Sequence, residues 1–364
     1  MYVYKKRFLV LFFTIFDAIG RAIFFPVRLV SRFEPVRVKK ILVIRLDHIG
    51  DVVNSTVVIG PLRKNFPEAK IHFLAPVWAA SVVNSNRDIS RVIEFRPSWF
   101  DRNGSKFFKN VRSLLPLVKL ISKEGYDLCI DLRGDSRHIL AMFLGGVKYR
   151  VGYGITGCGF LLNLEVRYKG IMHETRRNLE LLKAIGIDIK EAKIDLSFPD
   201  GDKVSAGLLL KEIGLPGDYA VMHPFPGDMS KEWEDKGFMR IIGYLWERYS
   251  LPTVIAGGKV DAGKFRPTSA DGFFMDISGK TTLGSLYFLL KRARIFIGVD
   301  SAPAHLAGAA GTASVVLMNG THMPAQWLPK GDKVRAVIPA KGKVVSGLDA
   351  GEVEAALDEL MGQK

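Results

Sequence analysis

The chain has 364 residues, room for two domains of ordinary size, and 48% of them are hydrophobic, enough to bury two cores and to exclude global disorder. Lys and Arg outnumber Asp and Glu by 52 to 37, a formal charge of +15 that favours nucleic acid, acidic lipid or phosphorylated substrates as partners. Cys129 and Cys158 make neither a disulfide framework nor a metal cluster and read as reduced packing residues.

Residues 1–38 differ in character from everything after them. Lys5-Lys6-Arg7 precedes the apolar stretch Phe8–Phe16, and Asp17, Arg21, Arg28 and Arg32 follow among aromatic and aliphatic residues. A bilayer span needs about 20 mostly apolar residues, and Asp17 with Arg21 interrupts that length. At about 100° per residue, Lys6, Asp17, Arg21, Arg28 and Arg32 share a sector of roughly 80°, leaving a broad apolar face. The pattern predicts an amphipathic helix on an anionic membrane surface, kinked or divided at Pro26. A helix packed on the protein's own core is the alternative. A secretory signal peptide has the same charged start, but no small-residue cleavage site follows the apolar run.

Ile41-Leu42-Val43-Ile44 then reads as a buried parallel strand. A helix is predicted from about Val52 to Phe66, strands at Ile71–Ala75 and Val92–Phe95, a helix from about Phe107 to Lys123, and a strand at Tyr126–Leu132. The polar stretch Phe198–Lys203 and the pair Leu215-Pro216 mark a boundary. Beyond it, strands at Tyr219–His223, Thr253–Ala256, Ile295–Val299 and Ser314–Met318 alternate with helices at Gly237–Tyr249, Thr282–Arg292 and Ala302–Ala310. The fold class is therefore α/β, with two Rossmann-type parallel-sheet domains, 39–200 and 215–364, behind an amino-terminal amphipathic helix. Such domains are expected to face each other across a cleft lined by the carboxyl ends of both sheets.

Three motifs fall at those strand ends. The first is Arg45-Leu-Asp-His-Ile-Gly-Asp51, where Asp51 sits at the start of a helix. It is either a cap for orphan amides or a carboxylate able to take a proton from an acceptor hydroxyl. The second is His223-Pro-Phe-Pro-Gly-Asp-Met-Ser-Lys231-Glu-Trp233, an extended Pro/Gly loop that brings Lys231, a point charge suited to phosphate or simply a solvated lysine. The third is Gly298-Val-Asp300-Ser301-Ala-Pro303-Ala-His305-Leu-Ala-Gly-Ala-Ala-Gly311, in which Ser301 or Pro303 opens a helix of small residues. Its free amides and dipole suit an anion, while an ordinary capped helix with a buried His305 is the plainer reading. Gly279-Lys280-Thr281 resembles the end of a P-loop, but position 274 is Phe where that motif needs glycine, so Thr281 or Thr282 is expected to cap the next helix. The histidines show no metal-ligand spacing, and no Gly-x-Ser-x-Gly elbow occurs.

Taken together and in this order, the motifs resemble glycosyltransferase family nine, the lipopolysaccharide heptosyltransferases, over roughly Lys39 to Pro329. Pro61-Leu-Arg-Lys-Asn-Phe-Pro67, Tyr126-Asp-Leu-Cys-Ile-Asp-Leu132, Arg150-Val-Gly-Tyr153, Ser230-Lys-Glu-Trp233 and Ile277-Ser-Gly-Lys-Thr281 support the likeness. The resemblance implies a GT-B fold and inverting, metal-independent, cofactor-free transfer of heptose from ADP-heptose to a lipopolysaccharide core or other lipid-linked glycan. By the same likeness Asp51 is the base, Lys231 and the turn Asp300, Ser301, Ala302, Pro303 and His305 hold the diphosphate, and Asp261 meets the ribose. Three positions depart from the family pattern: Asp261 stands where Glu is usual, Ala302 where Gly is common, and Ala304 where Met is found. The implied setting is the cytoplasmic face of the inner membrane, with peripheral attachment. Another nucleotide-sugar donor and a non-catalytic sugar-nucleotide-binding protein are the alternatives. Nucleic acid is disfavoured, because no recognition module is present and the amino-terminal basic residues alternate with membrane-type aromatics.

Overall fold

The computed structural model describes residues 7–30, 38–100, 107–190, 192–215, 217–265, 274–320, 324–340 and 343–362. The chain divides into two units, Met1–Ser197 and Phe198–Lys364. Lys6 and Arg32 of the amino-terminal stripe, the side chain of Arg28, and Pro216 of the expected boundary lie outside the described residues.

In the first unit, β1 (Lys40–Ile44), β2 (Lys70–Pro76), β3 (Arg91–Phe95), β4 (Leu128–Asp131), β5 (Tyr149–Gly152) and β6 (Leu164–Glu165) form one sheet in the order β3-β2-β1-β4-β5-β6. All neighbouring pairs are parallel. β1 sits near the middle, paired through Ile41 with both Ile71 and Leu128, and Ile41 to Ile44 are fully buried. An unbroken apolar run is what a strand covered on both faces requires.

Helices α1 (Arg7–Val30), α2 (Ile49–Ser55), α3 (Ile59–Asn65), α4 (Phe107–Ser122), α5 (Ser136–Leu144) and α6 (Glu174–Ala184) complete this unit. The single helix expected over Val52–Phe66 is instead α2, a 3₁₀ turn at Thr56–Val58, and α3. The Ser55 and Thr56 hydroxyls donate back to the Val52 and Val53 carbonyls at 2.7 and 2.9 Å, competing with the helical ladder. Pro61 has no amide to offer Val57, which completes the break. α1, by contrast, is not divided at Pro26 but runs unbroken from Arg7 to Val30.

The second unit repeats the topology. β7 (Ala220–His223), β8 (Thr253–Ile255), β9 (Phe274–Asp276), β10 (Ile295–Val299), β11 (Ser314–Leu317) and β12 (Val334–Val337) order as β12-β11-β10-β7-β8-β9, again all parallel. Around them lie α7 (Asp200–Glu212), α8 (Asp235–Tyr249), α9 (Leu283–Arg292), α10 (Ala302–Ala310), the short α11 (Pro324–Trp327) and α12 (Ala350–Gly362). Thr282 caps α9 as expected, its hydroxyl accepting the Ser285 amide at 3.0 Å. α7 lies on this side of the division, so the second unit begins at Phe198.

Each sheet thus has one place where the chain reverses its direction of strand addition: between β1 and β4 in the first unit, and between β7 and β10 in the second. Loops leaving neighbouring strands diverge there, and the crevice at the strands' carboxyl ends is where open α/β sheets bind ligands. The three sequence motifs leave β1, β7 and β10 at those two points.

Candidate active site

At the switch point of the first unit the organising group is Arg45, the residue after β1. Its guanidinium is buried and donates to Asp51 Oδ1 at 2.7 Å, Glu174 Oε1 at 3.0 Å and the Leu132 carbonyl beyond β4 at 3.0 Å. Asp47 Oδ2 is 3.5 Å away. Burial alone would lower the Arg45 pKa, yet Asp51, Glu174 and Asp47 surround the charge and the net shift is upward. Arg177 donates to the second oxygen of Glu174 at 2.7 Å, and Arg133 pairs with Asp47 at 2.9 Å. Burial and the neighbouring Asp51 push the Asp47 carboxyl above the usual range.

Asp51 is the third residue of α2, which begins at Ile49 behind His48, and the side chain of His48 does not cap the helix. Asp51 is therefore not the cap that its position suggested. Its carboxylate is fixed from the β1 side by Arg45 and stands in a helix first turn, where the backbone dipole favours an anion.

At the switch point of the second unit, the chain leaves β7 through His223-Pro224-Phe225-Pro226 and turns at Asp228, whose carboxylate accepts the Ser230 amide at 3.0 Å. This short turn swings Lys231 toward the end of β10, where its ammonium donates to Asp300 Oδ2 at 2.7 Å and to the Asp300 carbonyl at 3.2 Å. Gly298 lets β10 lie close against β7: a Cβ there would stand 2.8 Å from the His223 carbonyl on the paired strand. His223 donates from Nδ1 to the Ala256 carbonyl at 2.7 Å, and burial lowers its pKa.

α10 follows at once. Ser301 is its extended N-cap, but the hydroxyl donates backward to the Val299 carbonyl at 3.0 Å, so no side chain caps the helix. Pro303 brings no amide, while those of Ala302 and Ala304 sit at the positive end of the helix. His305 is buried in the same first turn. Asp261 lies apart, beyond β8, with Oδ2 accepting the Gly258 amide at 3.0 Å and Oδ1 paired with Lys264 at 3.1 Å. The structure thus brings Lys231, Asp300, Ser301, Ala302, Pro303 and His305 to one strand end, and places Asp261 in the turn that follows β8, two strands away from β10.

The heptosyltransferase model of glycosyltransferase family 9 matches residues 114–345, more than half of the chain. The chain belongs to glycosyltransferase family 9. This family 9 glycosyltransferase is 26% identical over 280 residues to lipopolysaccharide heptosyltransferase 3 of Escherichia coli K12, covering 75% of the chain and 80% of that relative. Its fold is similar to a family 9 glycosyl transferase of Veillonella parvula, with a TM-score of 0.77 at 19% identity over 90% of this chain and 98% of that one. It is also similar to E. coli heptosyltransferase WaaC solved with ADP-2-deoxy-2-fluoro heptose, with a TM-score of 0.67 at 18% identity over 88% and 99% of the two chains.

In the family 9 enzyme, sequence reading passed over Arg45, Asp47, Glu174 and Arg177. Arg45 stood inside the first motif without a role, because its six-residue separation from Asp51 matches no helical contact. Glu174 is 129 residues from Arg45 and carries no local signal. An arginine followed by two carboxylates, directly after a buried strand, was the available clue. Arg45→Lys should retain a folded protein yet lower kcat about tenfold, since one ammonium cannot keep three divergent partners in place. Steady-state kinetics beside a melting curve checks this, and an unchanged kcat would remove Arg45 from the site.

Proposed function

We propose that this enzyme transfers heptose from ADP-heptose to a lipid-linked glycan of the lipopolysaccharide-core type, with inversion and without a metal ion, at the cytoplasmic face of the inner membrane. One observation carries the reading: ionised groups suited to opposite ends of a glycosyl transfer occupy the switch points of the two sheets. Asp51 stands in one, and the Lys231–Asp300 pair with the uncapped start of α10 stands in the other. The relative named lipopolysaccharide heptosyltransferase 3 and the WaaC structure with a fluorinated ADP-heptose support the choice of donor and acceptor class.

In the reaction the acceptor hydroxyl oxygen bonds to the anomeric carbon while the carbon–oxygen bond to the β-phosphate breaks. The bonding pair leaves with ADP. The hydroxyl proton passes to the Asp51 carboxylate, late, as the oxygen commits to carbon. Attack opposite the leaving group inverts the anomeric centre. Asp300 uses two of the three donors of Lys231, which leaves a third for the diphosphate. The Ala302 and Ala304 amides and the α10 dipole share its charge, as fixed dipoles do at a developing anion. Ser301 and Pro303 shape that turn, and His305 is buried within α10 just after it. Asp261 is assigned to the ribose, a role that exchanges its Lys264 contact for a sugar hydroxyl.

The deciding experiment measures acceptor-dependent release of ADP from ADP-heptose and the anomeric configuration of the product by NMR. Retained configuration, or a faster reaction with another nucleotide sugar, would overturn the corresponding part. Turnover is expected to stay within about twofold after dialysis against EDTA, because Lys231 and helix amides carry the leaving-group charge. Loss of activity restored by Mg²⁺ would refute metal independence.

A further inference from the structure

α1 buries a face built around one carboxylate and leaves a second, apolar face exposed, which a helix that only covers a protein core would not do. The residues toward the first unit are Phe13, Asp17, Gly20 and Phe24, one face at helical spacing. Asp17 is buried and its carboxylate accepts the Cys158 amide at 2.8 Å. Gly20 lies against the Phe160 ring so closely that no side chain fits between them. Phe24 meets Phe143 and Phe160 with centroids 5.6 and 5.4 Å apart. Beside this face Arg21 donates from Nη2 to both carboxylate oxygens of Glu165, at 3.0 and 3.1 Å. The opposite face carries Leu11, Phe12, Ile15, Ile19 and Ile23, each 53–67% exposed. So the polar groups in the middle of the stripe are consumed by the domain together with Phe13 and Phe24, while Leu11, Phe12, Ile15, Ile19 and Ile23 form a second apolar face that points away from it.

We propose that this apolar face inserts into the interfacial layer of an anionic phospholipid bilayer, with α1 lying along the membrane plane and the first unit held on its polar side. A helix of 24 residues is about 36 Å long. Asp17, locked near its middle, cannot leave the domain to enter hydrocarbon, and among the described residues no helix is long and apolar enough to cross a membrane. The charge pattern selects the occupant. The sequence places Lys5, Lys6 and Arg7 at one end of α1 and Arg28, Arg32 and Arg37 at or beyond the other. Pairing with a second copy brings cation against cation in either direction, whereas a layer of anionic headgroups neutralises both ends at once. The proposal rests on the functional reading for its acceptor and deepens it, naming the contact through which the enzyme reaches a lipid-borne substrate.

The test is flotation of the full chain with phosphatidylethanolamine–phosphatidylglycerol vesicles, compared with the double variant Phe12→Glu/Ile19→Glu. Both positions are exposed, so the melting temperature should not change, while vesicle binding should fall at least about tenfold. Wild-type binding should weaken only several-fold in about 0.5 M NaCl, because salt screens the flanking cations and not the inserted side chains. Equal binding by the variant overturns the proposal. So does complete loss of wild-type binding in salt, and so does a vesicle-free dimer that the variant abolishes, seen by sedimentation velocity. ADP release with a water-soluble acceptor is measured in parallel and should be the same in both proteins. If the wild-type chain floats with vesicles yet transfers no sugar, the functional reading fails and the membrane contact stands.

Discussion

Asp51→Asn is expected to lower kcat about 10³-fold, some 4 kcal/mol of transition-state stabilisation, while the affinity for ADP-heptose stays within about twofold. The asparagine keeps the size of the side chain and can still accept from Arg45 through its amide oxygen, so the network of Arg45, Glu174 and Leu132 has no reason to collapse. What it loses is the capacity to take a proton. In the proposed reaction the donor is held by Lys231 and the α10 turn, which the substitution does not touch, so it should bind as before. Single-turnover rates with isothermal titration of the donor separate the two quantities. A rate within about fivefold of wild type would move the base elsewhere, with Asp47, on the same arginine and with its pKa raised, as the next carboxylate to replace.

The second large effect concerns Lys231. Lys231→Ala should reduce kcat about 10²-fold and weaken ADP about tenfold, with adenosine affinity unchanged. The loss is larger than that of one contact, because Asp300 is buried and its carboxylate remains without its cation at 2.7 Å, facing an incoming diphosphate. A double-mutant cycle makes this explicit. Asp300→Asn in the Lys231→Ala background should restore several-fold of the lost ADP affinity by removing that repulsion. Equal losses for ADP and adenosine would show that Lys231 merely supports the loop.

The two effects come from different kinds of arrangement, and this bears on why the groups of the second unit were easier to read than those of the first. Lys231, Asp300 and the start of α10 are brought together by strand ends and short turns, each with a local signature: the Pro-rich exit from β7, the Ser-Ala-Pro opening of a helix, and Gly298 at a close strand contact. The residues that fix Asp51 have no such signature. Glu174 begins α6, far along the chain, and Arg177 supports it from the next turn. Strand β5 and the edge strands β6, β9 and β12 were invisible for a related reason. They are short, and their pairing, rather than their composition, makes them strands.

The sequence alone determined the alternation of buried strands and helices in two series, because an unbroken apolar run such as Ile41–Ile44 is stable only between covering helices. It also determined which residues stand at the ends of β1, β7 and β10, since strand ends follow from where the apolar runs stop. Only the tertiary structure decided that Asp51 is gripped by Arg45 instead of capping its helix, that Lys231 closes on Asp300, and that α1 turns Asp17 inward and its isoleucines outward. Each of these depends on a partner between 6 and 141 residues away. A periodicity defines two faces of a helix, but which face meets the protein is settled by the surface it finds there.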